Sequence, residues 1–205
     1  MTFGQLALAG AACLIPVASQ AQDRPTDSVV YVLSQDSRLE VKTGKAGLLG
    51  FAGHSHLVRA RAFSGRVVYY PSAQADSRVE VSVLTDSLEV LSPPDTAEIR
   101  KVTEAMRAEV LHVDQYPLIT FVSTAVVPTA EGFRVEGQVT IAGQTRDVGA
   151  DLTVAIGRDT LRANGSFSVK QTDFGIKPYR GGPANTVRVA DRVTLTVDVV
   201  GIRPE

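Results

Sequence analysis

Strict alternation of apolar and polar residues constrains the fold of this 205-residue chain more than any other feature. The segments 79–83, 133–141, 148–156 and 193–199 each place apolar residues at every second position, with mostly polar residues between them. A period of two indicates strands with one buried and one solvent-facing side, and it favours antiparallel pairing. Short turn signals such as "PTAEG" and "GRDT" separate the segments and indicate hairpins. We therefore predict an all-β fold.

One segment, 95–112, breaks this alternation. Apolar side chains recur there at helical spacing, with charged residues between them, at Ile99, Val102, Met106 and Val110. We predict one amphipathic helix laid on the β-structure. About eight strands would curl and close into an antiparallel barrel, because closure removes exposed edges. A β-sandwich is the alternative that periodicity leaves open.

The first 21 residues differ from the rest because they contain no charged side chain and end on the small-x-small sequence Ser19-Gln20-Ala21. We predict a signal peptide over 1–21, cleaved after Ala21, and a single domain over 22–205. The protein would then be periplasmic or secreted. Cleavage would also remove Cys13, the one cysteine, so we expect no disulfide and no thiolate metal ligand.

Charge balance argues against nucleic acid as a partner. Lys and Arg total 21 and Asp and Glu total 22, and neither sign forms a continuous run. A nucleic-acid or anionic-lipid surface would need a basic patch. We also find no spacing that assembles a Ser-His-Asp or Cys-His constellation, so we predict a protein that is not an enzyme.

Three motifs, followed by a fourth near the end of the chain, carry a resemblance to a known family. They are "YPLITFVST" (116–124), "GQVTIAGQTRDV" (137–148), "FSVKQTDFGIKPY" (167–179) and "VADRVTLTV" (189–197). Together, in this order and with a helix before them, they resemble the YceI-like family of periplasmic polyisoprenoid-binding proteins. The resemblance implies an extended, lipocalin-like antiparallel β-barrel whose interior holds a long prenyl chain.

The stretch 44–70 departs from that resemblance because it carries His54 and His56. Its glycines do not form a phosphate loop, since Gly44-Lys45 precedes Ala46 and a strand pattern follows. We interpret them as loop hinges that carry an apolar lid made of Leu48, Leu49 and Phe51.

Two histidines separated by one residue point to the same side of a strand. Such a pair can bind Zn²⁺ or Cu²⁺ only with a further ligand, and His112 is the remaining histidine. The structural alternative for His112 is to complement the dipole at the end of the helix. Ser55 points the opposite way from His54 and His56, which removes it as a nucleophile that they could activate.

Alternation also predicts which way this strand faces. His54 and His56 align with Val58 and Ala60, whereas Tyr69 and the apolar residues before it fall on the other side. Both sets can face inward only if the register changes, so we predict an irregularity between Ala62 and Val67. The histidines would then lie near the mouth of the pocket, within reach of a polar head group.

The resemblance, together with the inward-facing pattern, gives a predicted set of ligand-binding residues. The set is His54, His56, Phe63, Tyr69, Phe121, Val139, Phe167, Phe174 and Tyr179. The alternative for the aromatic members is that they are ordinary core.

Two functions remain as hypotheses. The first is a carrier that holds a polyprenyl lipid or an isoprenoid quinone in the barrel, needs no other cofactor and contacts membranes transiently. The second is a metal- or redox-linked accessory protein that uses the two strand histidines. A barrel that only docks a membrane partner has no positive signal. The sequence leaves monomer and homodimer open.

Overall fold

A computed structural model of the protein describes residues 27–45, 55–91, 96–181 and 187–205. The predicted leader 1–21, the predicted lid residues Leu48, Leu49 and Phe51, and His54 lie outside these ranges. The described strands are β1 (Val29–Leu33), β2 (Arg38–Lys45), β3 (Leu57–Ala60), β4 (Phe63–Tyr69), β5 (Arg78–Leu84), β6 (Leu88–Val90), β7 (Leu118–Pro128), β8 (Gly132–Ile141), β9 (Gln144–Ile156), β10 (Thr160–Lys170), β11 (Arg180–Gly181) and β12 (Val187–Ile202). One α-helix, α1 (Thr96–Ala105), lies between β6 and β7 and continues as a π-helical turn over Met106–Val110.

Eight of these strands close an antiparallel barrel, which confirms the predicted fold. They follow the order β1-β4-β5-β7-β8-β9-β10-β12, and β12 pairs back onto β1 through Val32↔Ile202 and Leu33↔Gly201. Every pair in this ring is antiparallel. A closed ring satisfies the backbone groups that the edge of an open sheet would expose.

The sheet also extends beyond the ring. The 16-residue strand β12 pairs with β1 near its end and with β2 over Val189–Asp198, and from β2 the sheet continues through β3 to β6. We call the part around β1 and the end of β12 the closed half of the barrel, and the part around β2, β3 and β6 the extended half. More strands form than the alternation predicts, because short breaks divide three stretches of chain into two strands each. These are β1 and β2, β3 and β4, and β5 and β6.

The helix packs onto the extended half. Ile99, Val102, Met106 and Val110, the residues whose spacing predicts the helix, all pack against the apolar core of this half. That core includes Val58 and Ala60 of β3 and Leu88 and Val90 of β6. The helix thus contributes its apolar face to the interior that β2, β3 and β6 form. No helix in the described ranges is long and apolar enough to cross a bilayer.

The predicted change of register exists, but it lies earlier than expected. The chain bends at Arg61 and Ala62, between β3 and β4, so that both Val58 and Val67 face inward. Hydrogen bonds hold the bend, because the Ala62 amide donates to Ser87 Oγ at 3.0 Å and the Arg61 amide to the Ser87 carbonyl at 3.2 Å. Within β4 itself, residues 63–68 pair with β5 without a bulge.

Gly65 instead lies in regular register opposite Val81. A Cβ at this position would stand 2.7 Å from the carbonyl oxygen of Glu80 and 3.0 Å from Leu33 Cδ2. The position therefore requires glycine because neighbouring atoms approach its backbone closely, and not because the strand is interrupted there.

Candidate functional site

An apolar cavity lies inside the closed half of the barrel. Its volume is about 640 Å³, counting the space at its opening, and the surface that lines it is apolar. The lining residues are Leu33, Val67, Tyr69, Ser77, Val79, Val81, Val126, Phe133, Val135, Leu152, Val154, Ile156, Leu161, Ala163, Val197 and Val199. Pockets that bind small molecules are lined mainly by apolar side chains with few polar groups, and this cavity has that character.

The cavity exists because the inward positions of the closed half carry mainly valine, leucine and alanine. Ala163 on β10, for example, faces inward with Val154 of β9 and Val199 of β12 as its direct cross-strand partners. These side chains cover the barrel wall but do not reach its axis. A barrel of eight strands has an interior just wide enough for its own side chains or for one slim ligand.

Two aromatic rings form the part of the wall next to β5. Tyr69 and Phe133 meet edge to face, with ring centroids 6.3 Å apart and an interplanar angle of 76°. The Tyr69 hydroxyl accepts a hydrogen bond from Gln74 Nε2 at 2.9 Å, outside the apolar lining. This bond fixes the orientation of the Tyr69 ring and leaves its carbon face to the cavity.

Charged side chains on the strands that surround the cavity lie on the outer wall. Arg66 pairs with Glu80 at 3.0 Å, and Arg134 pairs with Asp151 at 3.1 Å. The hydrogen bond from Arg66 holds the pKa of the Glu80 carboxyl below its ordinary value. No residue of the cavity wall carries a formal charge. The cavity therefore suits an uncharged, apolar molecule.

Most of the predicted ligand-binding residues are not part of the cavity wall. Tyr69 is part of the cavity wall. Phe63, Phe121 and Phe167 pack against the core of the extended half, in which Val139 is buried. Their role as ligand contacts stays a prediction, because they pack in the core and are not part of the cavity wall.

Phe174 and Tyr179 lie in different surroundings. The Phe174 side chain is 2% exposed and belongs to the same core, whereas Tyr179 is 38% exposed just before β11. The cavity-wall residues that the prediction missed, such as Val154, Leu161 and Ala163, do alternate inward in the sequence. Alternation predicts which residues face inward, but it does not predict which half of the barrel contains a cavity. The aromatic residues of the motifs pack in the core of the extended half.

Phe121 marks the boundary between cavity and core. A Cβ on Gly137 would stand 2.6 Å from Phe121 Cζ, so the Phe121 ring lies directly over this glycine. The ring occupies the space that a side chain at position 137 would take. Together with Phe63 and Phe167, it packs against the core of the extended half.

The two histidines within the described ranges, His56 and His112, lie in different surroundings. His56 is 8% exposed and its backbone amide donates to Thr43 Oγ1 at 2.9 Å, which ties β3 to β2. His112 is exposed, after the π-helical turn, with a φ of 48°. Within the described ranges no three His, Cys, Asp or Glu side chains gather in a way that could hold a metal ion.

A short 3₁₀ turn, Gln171–Phe174, anchors Phe174 in the core. The Thr172 backbone amide donates to Asp191 Oδ1 at 2.9 Å, and the Thr172 hydroxyl donates to Asp191 Oδ2 at 2.8 Å. The backbone bond from Thr172 is the main reason why the pKa of the Asp191 carboxyl lies below its ordinary value. Asp191 thus ties the turn to β12.

Replacing Asp191 with alanine is expected to lower the melting temperature at neutral pH, because the Thr172 amide and hydroxyl lose their acceptor. The carboxyl has a depressed pKa in the folded protein, so its contribution is complete above the unfolded pKa and disappears as the pH falls through the folded one. The difference between Asp191→Ala and the native chain should therefore shrink below about pH 4. A difference that is constant from pH 7 to about pH 3 contradicts this role, and Asp198→Ala on the same strand is the matched control.

Comparison with known proteins agrees with this architecture. The profile of the YceI-like domain matches residues 32–201. A UPF0312 protein of Yersinia enterocolitica is 30% identical over 149 residues, which cover 69% of this chain and 70% of that protein.

Solved structures share the fold at lower identity. BcnA of Burkholderia cenocepacia superposes with a TM-score of 0.64 at 20% identity, over 82% of this chain and 98% of that one. A polyisoprenoid binding domain from Saccharophagus degradans, implicated in plant cell wall breakdown, gives 0.61 at 12% identity, over 86% and 99%. The Campylobacter jejuni YceI protein gives 0.55 at 16% identity, over 72% and 85%.

Proposed function

We propose that this chain, which belongs to the YceI-like family, binds a long-chain isoprenoid lipid in the cavity of its barrel and carries or stores it. The observation that carries the proposal is the apolar lining of a cavity inside the barrel whose wall holds no formal charge. A prenyl chain offers branched hydrocarbon and few polar atoms. It matches such a wall better than a polar metabolite would, because the wall could not satisfy a metabolite's hydrogen bonds.

The driving force for binding would be the hydrophobic effect. Each methylene-sized group transferred from water into an apolar site contributes about 0.8 kcal/mol, so a chain of several isoprene units reaches a substantial affinity without specific polar contacts. The barrel would contribute a preformed dry space, and the rigid closed ring would keep that space open when it is empty.

The structural comparison adds support of a different kind. The domain from Saccharophagus degradans is called polyisoprenoid-binding and shares this fold over 86% of the chain. Transfer of that ligand class to this protein is our proposal, since fold alone does not fix function. A polyprenyl alcohol or phosphate and an isoprenoid quinone share the hydrocarbon chain and differ in the head group.

The proposal extends to the place where the protein works. We infer that residues 1–21 are a signal peptide and that the mature protein acts in the periplasm or outside the cell. The support is the uncharged apolar segment that ends on Ser19-Gln20-Ala21. In such a compartment, a water-insoluble lipid needs a protein that shields it between membranes.

Transfer of a defined chain from vesicles tests the proposal. Delipidated protein is mixed with phosphatidylcholine vesicles that carry tritiated geranylgeraniol, and the vesicles are then removed by centrifugation. We expect the protein to keep the label in the supernatant with a stoichiometry of up to one chain per barrel. Label that stays with the vesicles at all protein concentrations overturns the proposal.

A further inference from the structure

The barrel wall contains a gap between two neighbouring strands. The ladder between β9 and β10 begins at Ile156↔Leu161 and ends at Leu152↔Gly165. Beyond that point β9 continues to pair with β8, and β10 continues to pair with β12 down to Lys170. Within the described ranges, residues 144–151 of β9 and 166–170 of β10 therefore each pair with another strand on one side only, and the 3₁₀ turn Gln171–Phe174 contacts both strands.

A space of about 530 Å³, counting the open solvent at its mouth, lies beside this gap. It is lined by Arg146, Asp147, Val148, Gly149, Phe167, Ser168, Val169, Asp173 and Phe174. Four consecutive residues of β9 and three of β10 line the same space. Since consecutive strand residues point to opposite faces of a sheet, a space that all of them share lies along the strand edges rather than on one face of the sheet. We call this space the seam.

The seam is apolar inside and polar outside. Phe174 is 2% exposed and Val169 is 9% exposed, and both belong to the core, to which Phe167 packs. Arg146, Asp147, Ser168 and Asp173 are exposed at its outer side. This arrangement matches an amphiphile whose hydrocarbon end points inward and whose polar end stays in water.

The seam also begins where the cavity ends. Leu152 and Gly165 form the last pair of the ladder, and Leu152 belongs to the cavity wall. The next inward-facing residue of β10 after Gly165 is Phe167, which lines the seam. At Gly165 a Cβ would stand 2.6 Å from Leu152 Cδ2, so Leu152 fills the glycine's place between the two spaces. Leu152 of β9 and Phe167 of β10 therefore lie between the seam and the cavity where the ladder ends.

We propose that the seam between β9 and β10 is a lateral portal through which a prenyl chain enters the cavity, and that it holds an uncharged polar head group. The proposal rests on the lipid-binding function proposed above. Rotation of the Leu152 and Phe167 side chains away from the gap would connect the two spaces, and side-chain rotations of this kind leave the strands in place.

The charges at the seam select among head groups. Among the residues that line the seam, Arg146 carries a positive charge and Asp147 and Asp173 each carry a negative charge, which leaves one net negative charge. Arg146 already donates to the Thr145 carbonyl at 2.6 Å, and Asp147 accepts from Gln138 at 3.2 Å. A phosphate would meet this negative charge, whereas a hydroxyl or a quinone oxygen would not. The portal therefore favours a prenyl alcohol or quinone over a prenyl phosphate.

Blocking the seam tests the portal. Ser168 is exposed and lines the seam, and Ser166 lies on the same face of β10 two residues away and outside it. Delipidated Ser168→Trp, Ser166→Trp and native protein each receive tritiated geranylgeraniol from phosphatidylcholine vesicles, and the time course of uptake and release is measured. We expect Ser168→Trp to slow both rates at least tenfold and to leave the bound amount at equilibrium unchanged, with Ser166→Trp matching the native rates.

Equal rates in the two variants, with normal binding by the native chain, overturn the portal and leave the lipid-binding function intact. Native protein that takes up no chain overturns the function and the portal together. Melting temperatures of both variants establish that they are folded.

A separate measurement tests whether the seam favours an uncharged head group. We expect geranylgeraniol to bind at least tenfold more tightly than geranylgeranyl phosphate, and Asp147→Asn combined with Asp173→Asn to reduce that ratio. A phosphate that binds the native protein as tightly as the alcohol overturns the assignment of an uncharged head group.

Discussion

Replacing Ala163 with phenylalanine is expected to lower the retention of a prenyl chain at least tenfold while the barrel stays folded. Ala163 is buried on β10 and faces the middle of the cavity, so the added ring occupies space that the chain would take. Displacing only two methylenes, at about 0.8 kcal/mol each, corresponds to a roughly tenfold loss of affinity. Retention is measured by transfer of tritiated geranylgeraniol from vesicles, alongside the melting temperature.

Ala155→Phe is the matched control. Ala155 is an exposed alanine on the adjacent strand β9, opposite Arg162, so the same ring would point into solvent. We expect this variant to retain the chain like the native protein. If folded Ala163→Phe also retained it fully, the cavity would not be the binding site.

The second large effect concerns stability. Tyr31 is 2% exposed, lies on the strand that closes the ring and packs with Leu161 and Ala163. Replacing a buried aromatic residue with alanine costs about 3–5 kcal/mol. At about 2–4 °C per kcal/mol for a chain of this length, Tyr31→Ala should lower the melting temperature by roughly 6–20 °C.

Tyr31→Phe separates packing from hydrogen bonding. The Tyr31 hydroxyl donates to the Gly157 carbonyl at 2.9 Å, and losing this one bond costs about 0.5–1.5 kcal/mol. The expected order of melting temperatures is therefore native, Tyr31→Phe, then Tyr31→Ala, with the larger step last. Tyr179→Ala, at a more exposed tyrosine, should change little. A Tyr31→Ala melting temperature equal to the native one would show that β1 does not hold the barrel closed.

Much of the architecture follows from local patterns in the sequence. The alternation in 133–141 predicts which side chains of β8 face inward, and Val135 and Val139 are indeed buried while Arg134 and Glu136 are exposed. The helical spacing from Ile99 to Val110 predicts the face that packs on the core. Both succeed because each side chain's environment depends on its own strand or helix face.

The features that could not be predicted depend on contacts between distant segments. The bend at Arg61 and Ala62 is held by Ser87, which follows Ala62 by 25 residues along the chain. The aromatic residues Phe121 and Phe167 have the same inward alternation as the cavity-wall residues, yet they fill the packed end. The sequence of neither strand indicates where the β9–β10 ladder stops, because the alternation continues past that point in both strands.

The central claim is that the cavity in the closed half holds a prenyl lipid, and native mass spectrometry tests it most directly. The full chain is expressed with its leader, and the secreted protein is purified without detergent and measured before and after extraction with organic solvent. The account predicts an adduct of lipid mass that disappears on extraction and whose mass identifies the chain. A protein of bare polypeptide mass, or a small adduct that survives extraction and leaves with a chelator, would contradict it.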